Sequence, residues 1–414
     1  MSTDHSPASP ASPTERRRLL QAAATGLTAL AFPAVLRAQS SAIKVGVILP
    51  LSGPLSFVGL ATKRGTEVGI KLMAEQGIKL DVQFADFESK AENGRVVAEK
   101  LIRDGCSVLV GAWDSGATIS ALQAAEASKV PLVVNIGSAT QITEQGFTQV
   151  FRNFTLSPQL VTNAVNRIKE LPRGAGFEPK TAVLLHVNDT FGQSMLGGVT
   201  ALWDKLGVGI RIVDTISYDL RARDLSVEVA KAKATGADLV CPITRVNDAI
   251  LIVREMVKQD FNPMAIIGPG SPGPYEKAFT DALGKYANDY ISCVPWYDPS
   301  QPMAKRALAQ WAKDFPSERF ELNSGFGFEA MQVVADAFSR AKSTKPADIH
   351  AALKTTNIAS HVMFGGPIQF DAKGQNNNIG GPMLQIQKGE PVVVAPASIA
   401  QGKPVLPMTR WSAR

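Results

Sequence analysis

Side chains that commonly act as acids and bases are few in this chain of 414 residues. Histidine occurs four times, at His5, His186, His350 and His361. His186 falls inside an apolar, strand-like run, where a packed core residue is a more ordinary interpretation than a catalytic base. The others have no partner at metal-ligand spacing, and no pair of carboxylates suited to acid–base chemistry can be picked out. The sequence gives no support for catalysis, although a triad assembled in space leaves no sequence pattern.

Loops that bind phosphates are missing where an enzyme of doubly wound fold needs them. Residues 50–59 follow the first predicted strand and residues 188–192 follow a later one, and neither contains GxGxxG. The chain also lacks a GxxxxGK[ST] loop and a GxSxG nucleophile elbow. We therefore predict a protein without a cofactor. A binding protein is a better interpretation of the sequence than an enzyme.

The three cysteines, Cys106, Cys241 and Cys293, each lie in or beside an apolar, strand-like run. Buried small hydrophobic residues are the more ordinary interpretation. A disulfide between Cys241 and Cys293 is the alternative in an oxidising compartment. No CxxC and no His/Cys cluster suggests a metal.

An export signal is predicted over residues 1–38. Arg16, Arg17 and Arg18 precede two leucines and a mildly apolar stretch at 22–36, and cleavage is expected after Ala38. Paired arginines followed by leucines resemble a twin-arginine signal and imply a periplasmic protein. The alternative is an uncleaved membrane anchor, for which the stretch is short, since a spanning helix needs about 20 strongly apolar residues.

The rest of the chain is too long for one ordinary core, so two lobes are expected. The net charge of +6 is spread without a dense run of Lys and Arg, which argues against a nucleic-acid partner.

Short β-branched runs alternate with helical patterns from residue 42 onward. Strands are predicted in two successive series, at 43–49, 79–84, 107–110 and 131–135, then at 182–187, 210–213, 237–241 and 264–267. This order predicts an α/β fold of two doubly wound parallel sheets, one in each lobe. Ligands of such sheets bind beyond the carboxyl ends of the strands, so the cleft between the lobes is the expected site.

Six stretches in chain order resemble periplasmic solute-binding proteins of the branched-chain amino acid (Leu/Ile/Val) type. They are 43–54 (IKVGVILPLSGP), 104–111 (DGCSVLVG), 130–138 (VPLVVNIGS), 150–153 (VFRN), 188–192 (NDTFG) and 366–374 (GPIQFDAKG). The resemblance covers nearly all of the chain after the signal.

The resemblance implies a type I periplasmic binding fold, with two lobes joined by three crossovers. The first lobe would comprise 42–152 and 293–375, the second 153–292 and 376–400, and 401–414 would form a tail. It also implies a monomer that closes over a small solute and delivers it to an inner-membrane ABC permease. A ligand-sensing receptor domain of the same fold is the alternative.

Five residues of the first lobe are predicted by the resemblance to face the carboxylate or amine of a ligand. They are Asp114 and Ser115 after one strand, and Ser138, Ala139 and Thr140 after the next. Ser115 is a sensible donor to a carboxylate, whereas Asp114 suits only a ligand amine. Short polar residues after strands are also ordinary helix caps, which is the competing interpretation.

Three residues of the second lobe complete the predicted site. Phe191 stands where the family places an aromatic ring against the ligand. Arg245 would hold a carboxylate through two parallel hydrogen bonds, unless it is an ordinary surface arginine. Gly270 stands where amino-acid binders carry an acid that pairs with the ligand's ammonium.

The loss of that acid and the gain of an arginine favour a carboxylate without an α-amino group. Organic or aromatic acids then fit as well as branched-chain amino acids, provided that Asp114 does not replace the lost acid. Phe57 and Trp113 are predicted to supply the apolar wall.

Overall fold

The computed structural model describes Ser2 and residues 42–414, and the predicted signal peptide lies outside these residues except for Ser2. Residues 42–414 form one compact unit that contains two large sheets. Among the described residues, no helix has both the length and the apolar character needed to cross a membrane.

The first sheet has five parallel strands in the order β2-β1-β3-β4-β5. They are β1 (Ile43–Leu49), β2 (Leu80–Asp86), β3 (Val108–Gly111), β4 (Leu132–Val134) and β5 (Val150–Arg152). The helices between them are α1 (Ser56–Glu75), α2 (Asn93–Arg103), α3 (Ser115–Ser128) and the short α4 (Gln141–Glu144). We call this sheet and the helices packed on it the first lobe.

The second sheet has seven strands in the order β14-β13-β10-β9-β8-β6-β7. They are β6 (Thr181–Val187), β7 (Arg211–Tyr218), β8 (Leu239–Ile243), β9 (Ala265–Pro269), β10 (Ile291–Cys293), β13 (Met383–Gln387) and β14 (Glu390–Ala395). Their helices are α5 (Ser157–Glu170), α6 (Thr190–Leu202), α7 (Ser226–Ala234), α8 (Val246–Lys258) and α9 (Lys277–Leu283), followed by a 3₁₀ turn at Gly284–Ala287. This is the second lobe.

The two-sheet α/β fold predicted from the strand–helix alternation is confirmed, with one difference at an edge. Strands β13 and β14 pair antiparallel with each other, and β13 is antiparallel to β10. Lys388 and Gly389 join them with φ of 53° and 80°. Positive φ at both central residues is the geometry of a tight type I′ hairpin, which an alternation of strands and helices does not predict.

The remaining helices are α10 (Pro302–Asp314), α11 (Leu322–Ala341) and α12 (Pro346–Leu353), with a two-stranded sheet of β11 (Asn357–Ile358) and β12 (Ile368–Gln369). Helix α11 belongs to the first lobe, because its apolar residues share a core with β1 and β3. A Cβ at Gly65 of α1 would lie 2.0 Å from the carbonyl oxygen of Ser324 in α11. Glycine is therefore needed there for the two helices to pack closely.

The chain passes between the sheets three times, after β5, after β10 and before β13. Buried polar side chains tie the first and third passages together. Arg152 donates to Oε1 of Gln375 over 2.5 Å, and Asn376 donates to Oδ1 of Asn153 over 2.8 Å. Asn153 in turn donates to the buried carboxylate of Glu329 in α11, at 2.7 Å.

Residues 401–414, set apart as a tail in the sequence, contact the second lobe. The Met408 amide donates to the carbonyl of Met264 over 2.7 Å, and the Trp411 indole to that of Phe261 over 2.7 Å. Arg414 pairs with Asp289 at 3.2 Å. These contacts attach the end of the chain to the loops beside β9 and β10.

The three cysteines are buried and unpaired. Cys241 lies in β8 and Cys293 in β10, with β9 between them. Strands two places apart put Cα atoms about 10 Å from each other, beyond the roughly 7 Å that a disulfide can bridge. The alternative of a Cys241–Cys293 disulfide is therefore wrong for this fold.

The three histidines within residues 42–414 lie in different parts of the fold. His186 is buried in β6, His350 contacts the carbonyl of Thr148 at 2.9 Å, and His361 pairs with Glu329 at 2.7 Å. Within residues 42–414, no cluster of three or more His, Cys, Asp or Glu side chains is arranged to hold a metal ion.

Candidate ligand-binding site

A cavity lies between the lobes, beyond the carboxyl ends of β3, β4, β8 and β9. Residues from both lobes line it: Trp113, Ser115, Ile136, Gly137, Ser138, Phe154, Leu160, Phe191, Arg245, Gly270, Pro272, Tyr275, Val294, Pro295, Leu322 and Asn323. The wall is mainly apolar and aromatic with a few polar groups, as is typical of a small-molecule site.

Six of the ten residues predicted from the sequence line this cavity. They are Trp113, Ser115, Ser138, Phe191, Arg245 and Gly270. The other four, Phe57, Asp114, Ala139 and Thr140, do not line it.

Ser115 is the first residue of α3, and Asp114 caps that helix. Oδ1 of Asp114 accepts from the Ala117 amide at 3.0 Å, which satisfies one of the free amides of the first turn. Oγ of Ser115 accepts from the Ala139 amide at 3.3 Å. Because this hydroxyl is an acceptor in that bond, its own proton is available to a ligand.

Ser138 is held by bonds on either side of it. Arg152 donates through Nη1 to the carbonyls of Gly137 at 3.1 Å and Ala139 at 2.8 Å. The Ser157 hydroxyl donates to the carbonyl of Ser138 at 2.9 Å and lies 3.2 Å from its Oγ. Ser157 is the donor in this pairing of the two hydroxyls, so the Ser138 proton also remains available.

Ala139 and Thr140 have other roles than the predicted ligand contacts. The Ala139 amide bonds Ser115, as described above, and the residue is buried. Thr140 contacts the second lobe, where its amide donates to Oγ of Ser194 at 3.2 Å. Of the three residues between which the sequence left the choice open, Ser138 alone lines the cavity.

Arg245 lies at the N-terminus of α8 and is only 3% exposed. Its Nη2 donates to Oδ2 of Asp114 in the first lobe at 2.9 Å, and its Nη1 donates to Oδ2 of Asp189 in the second. The guanidinium lies between the rings of Trp113 and Phe191, at 5.7 Å and 5.2 Å from their centroids. These distances allow cation–π attraction to both rings.

This arrangement corrects two predictions about the site. Arg245 is not a surface residue, and it is not an unpaired clamp either, because both terminal nitrogens already bond carboxylates. Asp114 faces this arginine rather than a ligand amine. Asp189 was missed by sequence reasoning, although its place directly after β6 was a signal: it caps α6 through the Gly192 amide at 2.9 Å.

Burial acts against the charged form of Arg245, but the Asp189 and Asp114 carboxylates outweigh it and raise the pKa of Arg245 above its ordinary value. The group therefore stays protonated. Asp248, whose Oδ1 accepts from the Arg245 amide at 2.9 Å, is also buried. Burial raises the pKa of Asp248 to about 6, although hydrogen bonds from Tyr218 and Arg245 partly oppose the shift.

Gly270 has a φ of 75° and packs tightly. A Cβ there would lie 2.9 Å from Cβ of Leu160 and 3.0 Å from Cε of Met195. The backbone and these neighbours together exclude an acidic side chain at this position. Residues 268–273 (GPGSPG) have the GxGxxG spacing of a pyrophosphate-binding loop. The next helix, α9, begins only at Lys277, so this loop does not lead directly into a helix N-terminus that could bind a pyrophosphate.

Phe57 is 51% exposed and lines a separate surface groove with Glu276 and Glu321. The prediction that it walls the ligand site is wrong, since α1 directs it outward. Phe154 and Leu160 supply apolar wall instead, from the first passage and α5.

Tyr275 and Asn323 are polar lining residues that sequence reasoning also missed. Asn323 lies in the first turn of α11, and its Oδ1 accepts from the Trp113 indole at 2.7 Å. Tyr275 lies in the loop between β9 and α9 and is fully buried. Neither residue directly follows a predicted strand, and neither belongs to the stretches that carry the family resemblance.

The fold and the enclosed cleft define a two-lobed binding protein. The family model described as periplasmic binding protein matches residues 42–390. The chain therefore belongs to the periplasmic binding protein family, as its sequence resemblance implied.

Known proteins resemble this chain over most of its length. The Leu/Ile/Val-binding protein homolog 1 of Brucella abortus (strain 2308) is 25% identical over 353 residues, which cover 84% of this chain and 91% of that protein. A solute-binding protein of an ABC transporter from R. palustris, solved in complex with benzoate, superposes with a TM-score of 0.74 at 19% identity and covers 88% of this chain and 99% of its own. The leucine binding protein LivK from Thermotoga maritima superposes with a TM-score of 0.73 at 18% identity. The match covers 85% of this chain and 98% of that protein.

Proposed function

We propose that this chain is the extracytoplasmic solute-binding component of an ABC importer and captures a small carboxylate-bearing solute between its lobes. The observation that carries the proposal is the enclosed cavity, in which the hydroxyl protons of Ser115 and Ser138 are available to a ligand. Hydroxyl donors on an otherwise apolar wall orient one polar end of a small molecule.

A carboxylate is the favoured partner of these hydroxyls because Ser115 begins α3. The N-terminus of a helix carries partial positive charge and attracts anions. Asp114 would oppose an anion there, but Arg245 neutralises it at 2.9 Å. Arg245 thus supports carboxylate binding by compensating charge.

The names of similar proteins support the same ligand class. One neighbour was solved with benzoate and another is a leucine binding protein, and both of these ligands bear a carboxylate. We assign the cavity a binding role.

Closure over the solute is supported by contacts between the lobes. Arg245 reaches Asp114, Thr140 reaches Ser194, and the Asn247 amide group donates to the carbonyl of Pro54 at 3.0 Å. A ligand that touches both lobes shifts the population toward this arrangement. We propose that an inner-membrane permease recognises this form of a periplasmic monomer, exported by the twin-arginine route.

Thermal-shift measurements on the purified chain with leucine, isoleucine and benzoate test the proposal. A ligand held only by the folded chain, at 100 times its dissociation constant, adds about 2.7 kcal/mol to stability and raises the melting temperature. Ser115→Ala should reduce the shift. If neither these compounds nor a wider panel of carboxylates stabilises the chain, the proposal is wrong.

A further inference from the structure

Two buried polar groups on the second-lobe side of the cavity lack a hydrogen-bond partner among the described residues. They are the hydroxyl of Tyr275 and Nε of Arg245, and both residues line the cavity. Tyr275 is 0% exposed and Arg245 3% exposed, so bulk water does not reach them. Native proteins seldom leave such groups unpaired, because burying them without a bond is costly.

The protein cannot easily satisfy these groups itself. The side chain of Asn323 lies beside the Tyr275 hydroxyl, but its oxygen accepts from Trp113 and its amide nitrogen donates to Glu321 at 2.9 Å. The terminal nitrogens of Arg245 are held by Asp114 and Asp189, which leaves Nε–H as its free donor. A ligand that enters the cavity can supply the partner that each of these groups lacks.

The free polar groups of the lining side chains are alike in one respect: they can donate. The protons available are those of Ser115, Ser138, Tyr275 and Nε of Arg245. Among the described residues, no Asp, Glu or Gln lines the cavity, and the one lining amide oxygen, in Asn323, already has a donor. An ammonium group on the ligand would have no carboxylate partner on this wall. A ligand rich in hydrogen-bond acceptors would pair with the free donors.

The charge near the cavity limits what the second acceptor can be. Arg245 brings one positive charge and contacts two carboxylates, Asp114 and Asp189, so the cluster already has an excess of negative charge. A second carboxylate on the ligand would be repelled by this cluster. A neutral hydroxyl or carbonyl oxygen accepts the same hydrogen bonds without that repulsion.

We infer that the solute is a monocarboxylic acid without an ammonium group, with an apolar or aromatic body and a second, neutral acceptor that bonds Tyr275 and Nε of Arg245. This inference rests on the proposed function and specifies its ligand class. It makes Tyr275 a specificity-determining residue, a role for which the sequence gave no signal.

Calorimetric titration with matched pairs of compounds tests it. The pairs 3-phenylpropionate and L-phenylalanine, and 4-methylpentanoate and L-leucine, differ by the ammonium group alone. We expect the acid of at least one pair to bind at least tenfold tighter than its amino acid. An amino acid that binds tighter than its acid overturns the inference and leaves the proposed function standing, whereas a chain that binds no carboxylate overturns both.

Benzoate compared with 3- and 4-hydroxybenzoate probes the second acceptor. A hydroxylated acid should bind roughly three- to tenfold tighter than benzoate, the range of one hydrogen bond. Tyr275→Phe should remove this advantage. Tyr290→Phe is the matched control, because its hydroxyl is also buried and unpaired but does not line the cavity. An advantage that is absent in the wild type, or unchanged in Tyr275→Phe, contradicts the assignment.

Discussion

Nη2 of Arg245 in the second lobe lies 2.9 Å from Oδ2 of Asp114 in the first. Asp114 caps α3, and Asp189, the other partner of Arg245, caps α6 in the same manner. One cation thus bridges two helix-capping carboxylates that come from opposite sides of the cleft. The contact links charge compensation at the site to the approach of the lobes.

Replacing Arg245 with alanine should weaken both folding and ligand binding. The change leaves Asp114 and Asp189 close together without their cation, and breaking such a buried pair costs on the order of 3 kcal/mol. We expect a lower melting temperature and at least a tenfold loss of affinity by calorimetry. Arg221→Ala, which removes an exposed pair with Asp219, serves as the control and should change neither. Wild-type affinity in Arg245→Ala would show that the ion pair is dispensable.

Ser115→Ala and Ser138→Ala should each lower the affinity for a carboxylate about threefold to tenfold, with little change in stability. Each removes one hydroxyl group from the cavity lining. Ser292→Ala, at a buried serine of β10 that does not line the cavity, is the comparison. Titration of all three variants with the same ligand separates the roles. Equal losses for Ser292→Ala would argue against a specific contribution of the two lining serines.

Gly270→Asp should destabilise the chain by about 1–3 kcal/mol without creating an amino-acid site. The carboxylate would have to displace Leu160 or Met195 at a φ of 75°. Gly207→Asp is a matched control, since its φ is 66° and a Cβ there meets nothing within 4 Å. Denaturant titration should give the larger loss for Gly270→Asp. Improved leucine binding in this variant would contradict the packing argument.

Stability should fall as the pH rises from about 4.5 to about 7, because of two buried glutamates at the boundary between the lobes. Burial and the nearby Glu321 charge raise the pKa of Glu276, and burial raises that of Glu321 to about 7. Between their ordinary pKa near 4.5 and the raised values, the folded chain binds more protons than the unfolded chain. Linkage then makes folding weaker as protons are removed.

Glu276→Gln should flatten this pH dependence and stabilise the chain at neutral pH. Oε1 of Glu276 has no partner among the described residues, so the amide loses no hydrogen bond there. Urea unfolding at pH 5 and pH 8 measures the slope, and Glu99→Gln at an exposed pair is the control. A slope unchanged in Glu276→Gln would assign the effect to other groups.

The sequence predicted the two-sheet fold because strand and helix periodicities are local properties of the chain. Its resemblance to a known family also implied Ser115, Ser138, Phe191 and Arg245, which lie in or near the segments that follow strands and so meet at one edge of a parallel sheet. Whether a residue follows a strand can be predicted from the sequence alone. Which residue it contacts in the folded protein cannot.

Only the tertiary structure decided which groups meet across the cleft. It paired Arg245 with Asp114 and Asp189, brought Tyr275 and Asn323 to the cavity from segments far apart in the chain, and turned Phe57 to solvent. These outcomes depend on the relative placement of two lobes that the chain visits by three passages. Contacts between distant segments follow from that packing, and no local pattern in the sequence encodes them.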